Sequence, residues 1–275
     1  MTTLREYRAS RELFNNLTLR ELRSKYKRSV LGWTWSMLNP LSTLVIFTVV
    51  FKLILKVKAP PGRPSGLNVF ALYLLCGMLP FNYFQNNITG SIGSLISNAN
   101  LIKKTYFPRE LLVAANEGSN LVSHLIEMSL LLIGLVAFGN WKALLYLPVV
   151  IGLIAVLSLF CLGLGLVLSV VNVYFRDVQH LMSIVLTIWF YLTPIVYPIT
   201  LVPKEGNFFG VLLPMRALLK VNPLTDFVDC FRNAWYDLRM PPGGAVLYVV
   251  LVSITVFFFG LFVFGKLEGK LAEEL

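Results

Sequence analysis

Five stretches of this chain run for more than twenty residues without a single Asp, Glu, Lys or Arg: 29–51 (23 positions), 64–102 (39), 143–175 (33), 178–203 (26) and 240–265 (26). A helix needs roughly 20 apolar residues to cross a hydrocarbon layer about 30 Å thick, and each stretch exceeds that. A sixth segment, 111–138, is equally apolar but carries Glu117, His124 and Glu127. Lipid offers no hydrogen bonds to the backbone, so only helices and closed barrels span it, and these runs are too long and continuous for barrel strands. The chain therefore reads as an all-α membrane protein with six transmembrane helices, near 31–55, 68–95, 111–138, 143–171, 178–197 and 245–265. With 56% of residues hydrophobic and 14% charged, against about 25% charged in soluble domains, a water-soluble enzyme or a nucleic-acid-binding domain is excluded.

The net charge of +10 then points to anionic lipid and to membrane orientation rather than to nucleic acid. Eight cations fall in residues 1–28 (Arg5, Arg8, Arg11, Arg20, Arg23, Lys25, Lys27 and Arg28) and outweigh Lys52, Lys56, Lys58 and Arg63 beyond the first span. The N-terminus is thus expected in the cytoplasm. Six crossings return the C-terminus, with Lys266 and Lys270, to the same side of a cytoplasmic membrane. The mostly polar residues before the first span do not resemble a signal peptide. Cys76, Cys161 and Cys230 are too far apart for a zinc pattern and odd in number, so they make no disulfide framework.

Two segments stand outside the spans. Leu19, Leu22 and Tyr26 share one face of a helical wheel, while Arg20, Arg23, Lys25, Lys27 and Arg28 fill the rest. That pattern predicts an amphipathic helix in the membrane interface within a cytosolic segment 1–30, bent near Thr18 because Leu13, Phe14 and Leu17 point elsewhere. The six-helix domain occupies 31–275. Within it, Pro194, Pro198, Pro203, Pro214 and Pro223 interrupt an apolar stretch. Residues 195–219 are too broken for a span and too apolar for a free loop. Short re-entrant helices in the outer leaflet, or an amphipathic external loop, fit this composition.

Chemistry is sparse. The nearest approach to a phosphate-binding loop is Gly265-Lys266-Leu267-Glu268-Gly269-Lys270-Leu271, whose glycines are one residue too close and whose Leu271 replaces the magnesium-binding hydroxyl. Any ATP and Mg must belong to another subunit; no cofactor or metal is expected on this chain. Glu117, Asn120, His124 and Glu127 share one face of the third span, spaced for a proton relay or metal site, or for a polar seam hydrogen-bonded to neighbouring helices. Trp33, Trp35, Phe81, Tyr83, Phe84, Trp189, Phe190, Tyr191 and Tyr197 cluster near span ends, as an interfacial belt or as a lane of ring faces for sugars.

Several ordered stretches carry a family resemblance. They are 19–32 (LRELRSKYKRSVLG) with Trp35 and Asn39-Pro40, 100–110 (NLIKKTYFPRE), 172–180 (NVYFRDVQH), 190–198 (FYLTPIVYP) and Asn222-Pro223-Leu224. In this order they resemble the membrane permease of type-2 ATP-binding-cassette polysaccharide exporters, which export O-antigen, capsule or wall teichoic acid. The resemblance implies a homodimer bound to two ATPase subunits and a cargo of polysaccharide on polyprenyl diphosphate. It places a cytosolic coupling helix at about 97–109, with Asn100, Leu101, Lys103, Lys104, Tyr106, Phe107 and Pro108 as contacts, and gate helices at 195–219. Arg23, Lys25, Lys27 and Arg28 would receive the anionic lipid head. Trp33, Trp35, Tyr83, Phe84, Trp189, Phe190, Tyr191 and Tyr197 would line a glycan channel between the first and fifth spans. The alternatives are an exporter of a small amphiphile such as a drug or haem, an intramembrane enzyme using Glu117, His124 and Glu127, and a structural subunit.

Overall fold

The computed structural model describes residues 4–27, 32, 34–54, 56, 60–105, 107–208 and 211–274. Arg28, Trp33 and Tyr106 fall outside them. Helix is present in each of the six windows marked by the charge-free runs. α1 (Leu4–Tyr26) precedes α2 (Thr34–Phe47), which continues as a wider π-turn over Thr48–Ile54. α3 (Phe70–Ser97), the short α4 (Ala99–Lys104) and α5 (Glu110–Ala137) follow. A 3-10 turn, Trp141–Tyr146, opens into α6 (Leu147–Tyr174), and α7 (Val178–Leu192) and α10 (Gly243–Leu267) complete the long set. The segments from Glu110, Trp141 and Gly243 are long and apolar enough to cross a bilayer.

Three expectations change. First, α1 runs unbroken through Thr18, because Gly118 of α5 lets it approach. A Cβ at Gly118 would stand 3.1 Å from the Thr18 side chain and 3.3 Å from the Phe14 ring. The buried stripe is therefore centred on Leu17 and Leu22, packed along α5, whereas Leu19 is 47% exposed. Second, α7 stops at Leu192, because Thr193 is extended as a residue before proline must be. Fifteen residues rise only about 22 Å, short of the hydrocarbon thickness. Third, 195–219 is not a run of helices. Its described residues form a 3-10 turn (Ile199–Leu201), a two-stranded antiparallel ribbon of β1 (Gly206–Phe208) and β2 (Val211–Leu213), and the start of α8 (Met215–Val221). The longer helical return is α9 (Pro223–Phe231), continued by a π-turn over Arg232–Asp237.

Asn222 explains why that return begins where it does. Its Oδ1 accepts the Leu224 N–H at 3.1 Å, capping α9, and the Trp189 Nε1–H at 2.8 Å, while its Nδ2 donates to Thr193 Oγ1 at 3.0 Å. One side chain thus ties the end of α7 to the start of α9. The main core joins α3, α5, α6, α9 and α10. A second cluster at one end of the bundle gathers Leu17, Leu95, Ile102, Phe107, Val170 and Phe264, with Leu271 of α11 (Leu271–Glu274). α6 and α10 meet glycine to glycine, where a Cβ at Gly260 would fall 2.3 Å from the Gly163 carbonyl oxygen.

Candidate functional site

The third span's polar residues do not stand alone in lipid. Glu117, Asn120, His124 and Glu127 are all buried, and the seam crosses to α3. Asn120 Nδ2 donates to Asn87 Oδ1 at 2.9 Å, and Asn116 Nδ2 reaches the Asn87 carbonyl at 3.3 Å. The Tyr83 hydroxyl hydrogen-bonds Ser158 at 2.6 Å and donates to Glu117 at 3.4 Å, and its ring stacks on His124 at 4.6 Å. His124 Nδ1 lies 3.9 Å from Glu127, too far for a hydrogen bond. Among the described residues no three His, Cys, Asp or Glu side chains are placed to hold a metal ion.

Beside this seam opens a cleft of about 550 Å³ between α2, α3 and α5, capped by Lys25 from α1. Its α3 wall is Asn82, Gln85, Asn86 and Thr89, spaced i, i+3, i+4, i+7 on one face. None of these four side chains hydrogen-bonds another described residue, and none is fully buried. Asn116, Asn120, Ser123 and Glu127 of α5 form the opposite wall, and Trp35, Pro40 and Thr43 of α2 flank it. Gly90 is needed here: a Cβ there would stand 2.2 Å from the Asn116 amide oxygen. Carboxamides without partners are costly in hydrocarbon, so this wall requires water or a polar ligand. The sequence reading passed over these four residues although their helical spacing was visible, because they lie inside a charge-free run where the aromatic residues drew notice and uncharged amides did not.

The expected cations separate. The Lys25 ammonium donates to Asn120 Oδ1 at 2.5 Å and lines the cleft, although the residue as a whole is exposed, as are Arg23 and Lys27. Burial pushes the Lys25 ammonium down to about 8, with Glu21 and Glu127 opposing that fall. Arg20 pairs with Glu21 at 2.8 Å and also reaches Asn98 at 2.5 Å, tying α1 to the start of α4.

The aromatic residues largely pack inward. Tyr83 and Phe84 are core side chains; Phe84 meets Trp189 edge-on at 5.1 Å and stacks on Phe160 at 5.8 Å. Phe190 packs edge-on against Phe81 at 5.3 Å. Trp35, 45% exposed, does line the cleft, and Tyr191 is exposed, with its carbonyl accepting the Tyr197 hydroxyl at 2.8 Å. Aromatic residues occur in the core, on the exposed surface and in the cleft alike, so their spacing could not separate these roles.

At the bundle end holding α4, Asn100, Lys103, Lys104 and Pro108 are exposed and Leu101 is half-buried. Phe107 is buried in the second cluster beside Ile102, so it anchors this segment instead of projecting from it. Arg109 donates to the Glu268 carbonyl, and the Tyr174 hydroxyl donates to the Leu267 carbonyl at 3.3 Å, joining the C-terminal residues to the same end.

Comparison with known proteins gives a family and a set of relatives. The family described as ABC-2 type transporter matches residues 12–236. The chain is similar to the O-antigen export system permease protein RfbA of Myxococcus xanthus, 26% identical over 274 residues that cover 99% of this chain and 98% of the relative. RfbA of Klebsiella pneumoniae is 29% identical over 266 residues, covering 94% and 93%. The polysialic acid transport protein KpsM of Escherichia coli is 25% identical over 253 residues, 92% of each chain.

Proposed function

The chain belongs to the ABC-2 type transporter family, and from that premise we propose that it is the permease of an ATP-driven exporter moving polyprenyl-diphosphate-linked polysaccharide across the cytoplasmic membrane. The observation that carries this reading is the row Asn82, Gln85, Asn86 and Thr89, unpartnered within the described residues and facing the cleft. Carboxamides donate and accept at once, matching sugar hydroxyls whatever their orientation. A site for a drug or haem would be closed and apolar.

The two halves of the mechanism are spatially separate. At the inner leaflet Lys25 receives the diphosphate, and the amide walls take the first sugars while Trp35 offers a ring face. Exposed Lys103 and Lys104 dock on an ATPase subunit, whose nucleotide closure pushes on α4. Arg20 and Asn98 carry that push to α1, and the buried Phe107 carries it into the bundle. This chain makes and breaks no bond in the glycan. Hydrolysis on the partner changes which conformation binds cargo better. α2 and α7 expose Val45, Ile46, Leu181, Ile184 and Ile188, the apolar faces on which two copies would enclose the path. Both termini lie on the cytoplasmic side.

The test is a triple substitution, Asn82→Leu/Gln85→Leu/Asn86→Leu, in the native host, scored by surface polysaccharide at equal membrane abundance of the permease. Surface polymer should fall at least tenfold and recover with serine at the same positions. Unchanged display by the leucine variant, or by a strain lacking the gene, overturns the proposal.

A further inference from the structure

Glu127 of α5 lines the polar cleft, and its carboxylate accepts no hydrogen bond from any described residue. His124 Nδ1 stands 3.9 Å away, beyond hydrogen-bond range. The residue is 9% exposed, so more than nine-tenths of it is covered by protein. Its oxygens are nevertheless open. Both His124 nitrogens and the Ser119 hydroxyl are sealed inside without partners, whereas neither Glu127 oxygen is. The space they face is the cleft of about 550 Å³. A buried acceptor left without a donor is costly, and a ligand that fills the cleft with donors removes that cost.

Its place along the cleft decides which part of a ligand it meets. Tyr83 stacks on His124, Asn120 bonds Asn87, and Gly90 abuts Asn116, so α3 and α5 run antiparallel. Glu127 is thereby level with the start of the unpartnered row, at Asn82. Lys25 bonds Asn120, and the seven residues from there to Glu127 rise about 10 Å along the helix. A diphosphate held at Lys25 therefore stays clear of Glu127, and the sugar that follows it does not. A carboxylate accepts hydrogen bonds and donates none. An uncharged sugar brings hydroxyls that donate to it. A sugar with its own carboxylate brings a like charge into a site with little water, where the repulsion is strong. Lys25, the single cation among the described residues lining the cleft, is engaged at the other end.

We propose that Glu127 is the specificity-determining residue of the cleft: it admits a sugar that presents hydroxyls next to the diphosphate and excludes one that carries a carboxylate there. This rests on the exporter reading, which brings a diphosphate-linked glycan to Lys25, and it narrows the cargo to glycans whose lipid-proximal sugar is uncharged. Selection of this kind comes from a repulsive element as much as from an attractive one.

The experiment titrates the full-length permease in lipid nanodiscs with three probes: farnesyl diphosphate, the same lipid bearing glucose, and the same lipid bearing glucuronic acid. Wild type should bind the glucose probe about tenfold or more tighter than the glucuronic acid probe. Glu127→Gln should bring the two within about threefold, chiefly through tighter binding of the acidic probe, with thermal melting retained. Glu127→Asp should keep the wild-type preference. Asp177→Asn, at an exposed position, makes the same change in net charge and should also keep it. Equal binding of the two sugars by wild type, a preference that survives in Glu127→Gln, or one lost equally in Asp177→Asn overturns the proposal. If Glu127→Gln does not fold, the wild-type ratio and Glu127→Asp decide it. Farnesyl diphosphate separates the two readings: a protein that binds it and ignores the sugar loses the role of Glu127 and keeps the exporter reading, whereas one that binds none of the three probes loses both.

Discussion

Lys25 shows how much one side chain can owe to its neighbours. A lysine ordinarily holds its proton to 10.5, whereas desolvation of the ammonium at the cleft beside Asn120 brings this one down to about 8, although much of the residue is exposed. Between about 8 and the ordinary value of 10.5 the unfolded chain binds the extra proton, so the lysine's own contribution to stability rises with pH across that window. Ligand binding runs the other way. Affinity of the purified permease for polyprenyl diphosphate is expected to fall between pH 7 and 9, to stay flat in Lys25→Arg, and to be weak at both values in Lys25→Gln. Asn222 makes a second residue-scale prediction. Asn222→Ala removes the cap of α9 and strands the Trp189 N–H, and should cost about 1–3 kcal/mol, read as a lower melting temperature of the purified protein.

Elements meet where their side chains are smallest or most deeply buried. Gly260→Leu would drive a side chain into the α6 backbone and should destabilise by about 1–3 kcal/mol or more. Gly265→Ala, on the same helix with open space around it, should leave melting unchanged. The segment proposed to dock on the ATPase presents Lys103 and Lys104 outward and buries Phe107. Lys103→Glu/Lys104→Glu should abolish co-purification of the ATPase without changing thermal melting. Phe107→Ala should instead lower melting, at about 3–5 kcal/mol for a buried phenylalanine. A loss of melting stability in the lysine variant would reassign that face.

Across the whole molecule, α4 with the C-terminal residues marks one end and the Asn222 junction with α9 marks the other. Single cysteines at Lys103 and Lys142, with Cys76, Cys161 and Cys230 buried, should react with an impermeant maleimide from opposite sides of sealed vesicles. Labelling from one side alone would break the six-crossing topology. Five helix windows were legible because lipid penalises every charge, and the sixth, 111–138, because it is apolar apart from Glu117, His124 and Glu127. The end of α7 was missed because its last apolar residues continue past the point where the backbone stops being helical. Residues 195–219 were expected as short helices, with a loop as the alternative, because proline forbids a long helix without saying whether turn, ribbon or short helix replaces it.

The sequence alone determined that this is a helical membrane protein, since the distribution of charge and apolar residues is a local fact written in residue order. Which polar groups remain unpartnered was decided only in three dimensions. Asn87 and Asn120 satisfy one another across two helices, and Asn82, Gln85 and Asn86 do not, although all five are the same kind of amide. A hydrogen bond depends on where its partner lies in space, and residues 33 positions apart find that distance only when the helices pack.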